Sequence, residues 1–548
     1  MSRLGERYHG PKKTFPPDHD TVFEARSFSL EVVKLAELYH LVCCLAPNVS
    51  YEASHQPDRA GPESAFRPVT CAVPLAMGSQ TFVIWSISNI ILNAITMMLY
   101  TAVNCYIQKQ EQGPVPFVVL TDYQDIKETI IKDGETYADK YLSPEFNLYF
   151  RGGEYGIMDI SGDRWREHRK FAVLQLRELG VGKSQMESKI LEEAEELVKK
   201  LKTCEILQED FVLQTDLDVA VGSVINQFLF GYRFDESKMH EFVKIKTLVN
   251  NFMEEVGKPL GVLAFTCHGI PPFIVKQMVS GIEEQKRELF GFLRAQIQDA
   301  KLRINYEEEH NDDFVEAYLR KKYQREQNND FESYCDSQLE NVCFDIWAAG
   351  FDTLTNTIGF LFAYAINYPE MQKIIHQEID EYLGHHRRLL IMSDKNSLVY
   401  FNAFANETQR LANILPMNLP HALTRDVELK GYYLKKGTGV IHQIANVMTD
   451  ETIFPNPYRF DPTRFIDENG KLRKVEELCP FSMGKRQCLG EGLARMEIFL
   501  LAANLFNYFE FLPASDGLPS LFKDFSLVSH VIPFKCRIRS RDHPEESK

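Results

Sequence analysis

Cys488 is the residue whose neighbours ask most plainly for chemistry. It sits in Phe481-Ser482-Met483-Gly484-Lys485-Arg486-Gln487-Cys488-Leu489-Gly490, with glycines on both sides, two cations close by and an apolar run immediately after. Amides at a helix N-terminus and nearby positive charge favour a thiolate, the form of cysteine that attacks and binds metals. Glycines let the backbone lie flat against a planar group and free N–H groups to bond the sulfur. The ordinary alternative is an inert core thiol, the fate of most cysteines in such company. A second candidate is Ala349-Gly350-Phe351-Asp352-Thr353, in the middle of a long apolar pattern. Gly350 permits close approach to a helix backbone, Thr353 carries a hydroxyl that can interrupt the ladder, and Asp352 can link to a proton relay. Glu407 and Arg410 share one helix face, as do Trp165 and Arg169. Such ion pairs are mostly solvated, and such a Trp/Arg pair is usually a core anchor beside a snorkelling cation.

The elements that must position these residues read mainly as helices. Lys189 to Leu201 forms an amphipathic pattern whose Glu192, Glu193, Glu195 and Glu196, with Lys199 and Lys200, form a solvated face. Leu339, Val342, Cys343, Ile346, Trp347, Gly350, Leu354, Ile358 and Leu361 line one side of a long helix that Pro369 ends. Residues 490–509 are apolar almost all round and so form a buried central helix. Strands are few: residues 116–121 read as a buried strand before a helix started by Asp122, and 425–440 as a short sheet insertion turning at Lys436-Gly437.

A chain of 548 residues, 44% hydrophobic and 25% charged, is ordinary globular material. Its net charge of -16 argues against general nucleic-acid binding, which needs a basic footprint. The eleven cysteines show no zinc spacing, which fits a reduced intracellular chain with mostly structural thiols. The first ~80 residues are polar and aperiodic. Residues 82–107 form an uncharged apolar run of about 39 Å as a helix at ~1.5 Å per residue, enough to cross a ~30 Å hydrocarbon core. That run is a candidate membrane anchor or, alternatively, a buried core helix. The chain thus divides into an atypical N-terminal segment, 1–110, and a second part, 111–548.

The stretch around Cys488 has the form FxxGxRxCxG and resembles the haem-binding signature of the cytochrome P-450 family. Residues 480–500, PFSMGKRQCLGEGLARMEIFL, are similar to its microsomal drug-, steroid- and fatty-acid-oxidising branch. The resemblance covers about residues 113–533, with the motifs in family order. It implies a mainly α fold with a small β portion, haem b lying between the long central helix and the Cys-bearing helix. It implies Cys488 as the axial iron ligand, a thiolate that favours O–O cleavage, with Asp352 and Thr353 handling dioxygen and protons. By the same resemblance Trp165, Arg169, His421 and Arg486 contact haem propionates, Phe481 and Gly350 lie against the cofactor, and Arg151 is a further propionate candidate. Glu407, Arg410 and Arg464 become a buried brace that holds the cysteine loop.

The implied activity inserts one atom of O2 into a lipophilic xenobiotic, steroid or fatty acid. Electrons come from an NADPH-dependent flavoprotein reductase, at the cytoplasmic face of the endoplasmic reticulum membrane. The alternative is a haem-binding but catalytically impaired relative that serves as binder or sensor. Arg164, Arg166, His168, Arg169 and Lys170, with Lys485, form either a docking patch for the acidic reductase or a plain soluble helix face. Phe252, Leu260, Leu263, Phe265, Phe351 and Leu415 suggest an apolar substrate pocket. Residues 1–110 depart from the family pattern: the Pro/Gly hinge is absent, and the first strand with its preceding helix is replaced or missing.

Overall fold

The computed structural model describes residues 108–110, 117–179, 184–207, 210–308, 310–384, 387–525 and 528–541. The candidate anchor at 82–107 lies outside the described residues. Among the described residues, no helix is long and apolar enough to cross a membrane.

Six helices position the site: α1 Pro144–Arg151, α2 Gly162–Glu178, α3 Leu213–Phe230, α4 Asp336–Asn367, α5 Val399–Ala412 and α6 Glu491–Glu497. The architecture is mainly helical with small sheets, as expected. α4 runs unbroken because no proline interrupts it until Pro369, which instead opens the next helix as its first residue. It is buried along nearly its whole length and packs on α3, whose Leu217, Val221, Val224 and Phe228 are likewise buried. α6 continues through a wider turn, Ile498–Ala503, into Asn504–Tyr508. Its Leu500, Leu501, Leu505 and Phe506 are fully buried, so residues 490–509 are the central helix that their composition demands.

The main sheet joins β1 Gln108–Gln110, β2 Phe117–Leu120, β3 Asp139–Lys140, β4 His421–Ala422 and β7 Gly439–His442, in the order β1-β2-β7-β4-β3. Only β2 and β7 are parallel. A strand therefore does precede β2, where the sequence pattern has the first strand replaced or missing. Gln108-Lys109-Gln110 pairs antiparallel with Phe117–Val119, and three polar residues in a row show no alternation to detect. The hairpin of β5 Val427–Leu429 and β6 Tyr432–Leu434 turns at Lys430-Gly431, and the chain turns again at the expected Lys436-Gly437, where the Thr438 amide donates to the Lys435 carbonyl at 3.1 Å. Lys430 and Gly431 have positive φ, 52° and 81°, as a two-residue I′ turn requires. Near the C-terminus β8 Phe509–Pro513 pairs with β11 Cys536–Ser540, and β9 Lys523–Phe525 with β10 Ser529–Val531.

One expected solvated charge is buried. Glu193, on the helix Ser184–Leu207, is 2% exposed and chelates Arg233, whose Nε and Nη2 donate to it at 2.8 and 2.9 Å. Burial pushes its carboxyl up to about 7 despite that partner. The charge run on this helix is solvated on one side only.

Candidate active site

The cysteine loop is closed by its own backbone. The Cys488 amide donates to the Phe481 carbonyl at 2.9 Å, and Gly490 precedes the first turn of α6. Gly484 has φ 76°, and a Cβ there would fall 2.1 Å from the Ile130 carbonyl oxygen. Only glycine fits that approach. Cys488 is exposed, but to an internal cavity that it lines. Removal from bulk water therefore pushes its thiol up, while the Gly490 and Glu491 amides and the Arg169 charge pull it back. The helix amides are placed as expected, yet burial outweighs them. A thiolate here needs a positive centre on the cavity side, which is what a bound metal provides.

Across the same cavity, of about 360 Å³, stand Ala349, Gly350, Asp352 and Thr353 of α4. The Thr353 hydroxyl donates to the Ala349 carbonyl at 2.7 Å, so it is turned back on its own helix. A Cβ on Gly350 would meet Ile225 Cδ1 at 3.0 Å, so the glycine also lets α3 approach closely. Asp352 is 8% exposed and both its oxygens are engaged. Asn356 Nδ2 donates to Oδ1 at 3.0 Å, and His530 Nε2 lies 3.0 Å from Oδ2. Asn356 Oδ1 in turn accepts the Val531 amide at 3.0 Å, which ties β10 to α4. Asn356 is not among the residues the sequence singled out, although its place one turn beyond Asp352 could have found it. His530, 178 positions away, carried no such signal.

At one edge of the cavity positive charge gathers, with Asp139 and Asp159 near enough to act on Arg486 but not in ion-pair contact with it. Arg486 donates to the Ala138 and Ile160 carbonyls, both at 2.6 Å, and its guanidinium lies 3.7 Å from the Trp165 ring centroid. Burial, with Arg169 adding repulsion, pushes Arg486 down to about 9. Arg169 donates to the Gln487 carbonyl and is lowered by burial. Lys140 of β3, missed in the sequence because a two-residue strand has no pattern, bonds the Leu419 carbonyl at 3.2 Å and is driven well below its usual range by burial. Among the described residues none of these three cations forms an ion pair. Trp165 Nε1 and His421 Nε2 are buried without a hydrogen-bond partner there. His421 Nδ1 is held by the Tyr137 carbonyl at 2.6 Å, and burial keeps the ring neutral. An anionic arm beside Nε2 would favour its protonated form. Desolvated cations and orphaned polar atoms around one edge fit a flat group that carries carboxylates, as haem does.

Arg151 does not belong to that set. Its guanidinium is buried between Asp159 and Asp345, 2.8 Å from Asp345 Oδ1, and it also donates to Asn341. Asp345 Oδ2 further accepts the Ile157 and Met158 amides at 2.7 and 3.0 Å. A guanidinium so committed is neutralised by two carboxylates and keeps only its Nε without a hydrogen-bond partner.

The brace is assembled in full. Glu407 and Arg410 of α5 are 0% exposed, with Arg410 Nε and Nη2 on the Glu407 carboxylate at 2.7 and 2.9 Å. Arg464 Nε and the Asp461 amide reach Glu407 Oε1 at 3.1 and 2.9 Å. The two guanidiniums also bind the carbonyls of Met448, Pro455, Asn456, Pro457 and Arg459. What they hold directly is the segment 448–464 that leads toward the cysteine loop, rather than the loop itself.

The basic cluster is weaker than its sequence. Arg166 pairs with Asp163 and Glu135, both at 2.8 Å, and Lys485 shares the same Glu135. His168 is buried against the Ser333 carbonyl and pushed down to about 4, hence uncharged at neutral pH. Lys170 is exposed, and Arg164 lies over Tyr155.

Of the expected pocket residues, Phe252, Phe265 and Leu415 line the cavity. Leu260 is 49% exposed, Leu263 is not on the wall, and Phe351 packs away from it against Trp347 and Phe242. The wall is completed by Phe146, Phe150, Phe228 and Phe344. Phe150 stacks on Phe252 at 4.4 Å and meets Phe344 edge-on at 5.3 Å.

Comparison with known proteins agrees with this site. The family model "Cytochrome P450" matches residues 87–537. Cytochrome P450 2C3 of Oryctolagus cuniculus is 34% identical over 410 residues, 74% of this chain and 80% of that protein. Cytochrome P450 2A9 of Mesocricetus auratus is 31% identical, covering 72% and 78%. Cytochrome P450 2K1 of Oncorhynchus mykiss is also 31% identical, covering 73% and 78%. The chain belongs to the cytochrome P450 family, the haem-thiolate monooxygenases.

Proposed function

We propose that Cys488 would hold the haem iron and that Asp352 and Thr353 deliver protons from the opposite wall, in an enzyme that oxygenates a neutral lipophile with an aromatic portion. The observation that carries this is one cavity lined by the Cys488 loop, by the acid–hydroxyl pair of α4 and by a cluster of phenylalanines. Bound haem supplies the reductive activation of dioxygen, which a thiolate ligand promotes. Trp165, Arg169, His421 and Arg486, with Lys140, would hold the carboxylate arms, while Phe481 and Gly350 would face the flat group. Thr353 rotates its hydroxyl from the Ala349 carbonyl to donate into the cavity, and Asp352 passes a proton from its Oδ2. The stacked rings exclude water and accept an aromatic substrate by edge and face contacts.

Electrons come from an NADPH-dependent flavoprotein reductase docking where Lys170 and Arg164 lie. The catalytic domain takes in β1, so it reaches back to at least Gln108 rather than starting at 111. The N-terminal segment before it is anchored through 82–107 in the endoplasmic reticulum membrane, with the catalytic domain on the cytoplasmic face.

The test is reconstitution with reductase, NADPH and a panel of neutral aromatic lipophiles. Thr353→Ala should keep consuming NADPH while product falls about a hundredfold, the low end for a lost proton donor, and reduced oxygen leaves as hydrogen peroxide. Equal product from Thr353→Ala and wild type would refute the assignment. Haem binding without any NADPH consumption would instead mark a binder. A companion variant, Lys140→Met, should lose haem to an apo-globin acceptor about ten- to a hundredfold faster, as expected for a charge-assisted hydrogen bond of ~1.5–3 kcal/mol.

A further inference from the structure

We propose that His530 is the proton intake of this site, a positioning residue that loads Asp352 Oδ2 from the side away from the cavity. The proposal rests on Asp352 carrying protons, as argued above, and adds the group that supplies them. His530 Nε2 lies 3.0 Å from Asp352 Oδ2, with the two side chains 31% and 11% exposed. Asp352 lines the cavity while His530 is not on its wall, so the pair crosses from a half-exposed ring to the reacting space. Asn356 fixes the other oxygen of Asp352 and, through the Val531 amide, the strand that carries His530. Only Oδ2 is left to trade a proton with the ring.

The charges around the ring suit that task. Asp352 faces it from α4, and Asp524 is its register partner on β9, beside Lys523. Behind Asp352, Asp218 of α3 is paired with Lys246. The hydrogen bond to Asp352 raises the ring above its ordinary 6.5, with burial opposing and Asp524 and the Val528 carbonyl assisting. The transfer moves one proton from Nε2 to Oδ2, leaving a neutral ring that takes a proton back from water. Because the ring's pKa is raised, the loaded form persists above 6.5 and is lost as pH climbs through the folded value. Turnover should share that falling high-pH limb.

The test uses the full-length holoprotein with reductase and NADPH. His530→Gln can still donate a hydrogen bond but cannot titrate. Ring-labelled histidine followed by NMR should show a resonance, absent from His530→Gln, that titrates above 6.5 and falls toward 6.5 in Asp352→Asn. His530→Gln should keep the wild-type carbon-monoxide spectrum and melting temperature. Its NADPH-driven turnover should drop of order a hundredfold, with a larger solvent isotope effect and no high-pH limb. A ring that titrates at or below 6.5 would overturn the proposal. So would a variant that matches wild type in rate, isotope effect and pH profile. Loss of the spectrum in His530→Gln would overturn it too, since the contact would then only pin β10 to α4. An Asp352→Asn variant with wild-type turnover would sink the Asp352 assignment itself, and this one with it.

Discussion

Glu407→Ala is expected to give a chain that does not retain haem and barely folds. Glu407 and Arg410 are 0% exposed, and Glu407 is the carboxylate that both Arg410 and Arg464 share. Its loss strands a fully buried guanidinium and frees a second one. Removing one partner of a buried pair costs about 3–5 kcal/mol, set against a total stability of ~5–15 kcal/mol. The damage also lands on the segment 448–464, whose carbonyls the two arginines hold. Haem content after purification and the thermal midpoint are the readouts. Glu407→Gln, which keeps an acceptor oxygen, should fall between the two. A Glu407→Ala protein with full haem content and an unchanged midpoint would show that the brace carries no weight.

Cys488→Ala should behave in the opposite way. The sulfur opens onto the cavity and is not part of the packed core, so the stability of the metal-free chain should change little, within about 0.5 kcal/mol. NADPH-driven product formation should fall to background, because no other described cysteine lines the cavity. The pair of variants separates the two halves of the design: Glu407 supports the fold, Cys488 the chemistry. Turnover that survives in Cys488→Ala would reject the ligand assignment.

Local signals made most of this site legible. Gly484, Gly490 and the helix start around Cys488 are neighbours in the chain, so their geometry is written in a dozen residues. The same holds for Asp352 and Thr353 on α4, and for Glu407 and Arg410 on α5. What failed to show depends on distant partners. Arg151 looks available until Asp159 and Asp345 close on it, and Glu193 looks solvated until Arg233 reaches it. Lys140 reaches the haem edge from a strand of two residues. His530 acquires its role only when β10 meets α4. Leu260 and Phe351 were assigned to the pocket from apolar character, which cannot say which face of a helix looks inward. The aromatic wall is built from five different helices, and no spacing in the chain announces it.

The thiolate ligand is tested most directly by the reduced, carbon-monoxide-bound spectrum of the full-length protein beside Cys488→Ala. A Soret band at the long-wavelength position of a thiolate ligand, present in wild type and absent from the variant, is the expected result. A wild-type band at the short-wavelength position of a nitrogen ligand, no haem band at all, or a long-wavelength band that persists in Cys488→Ala would contradict it.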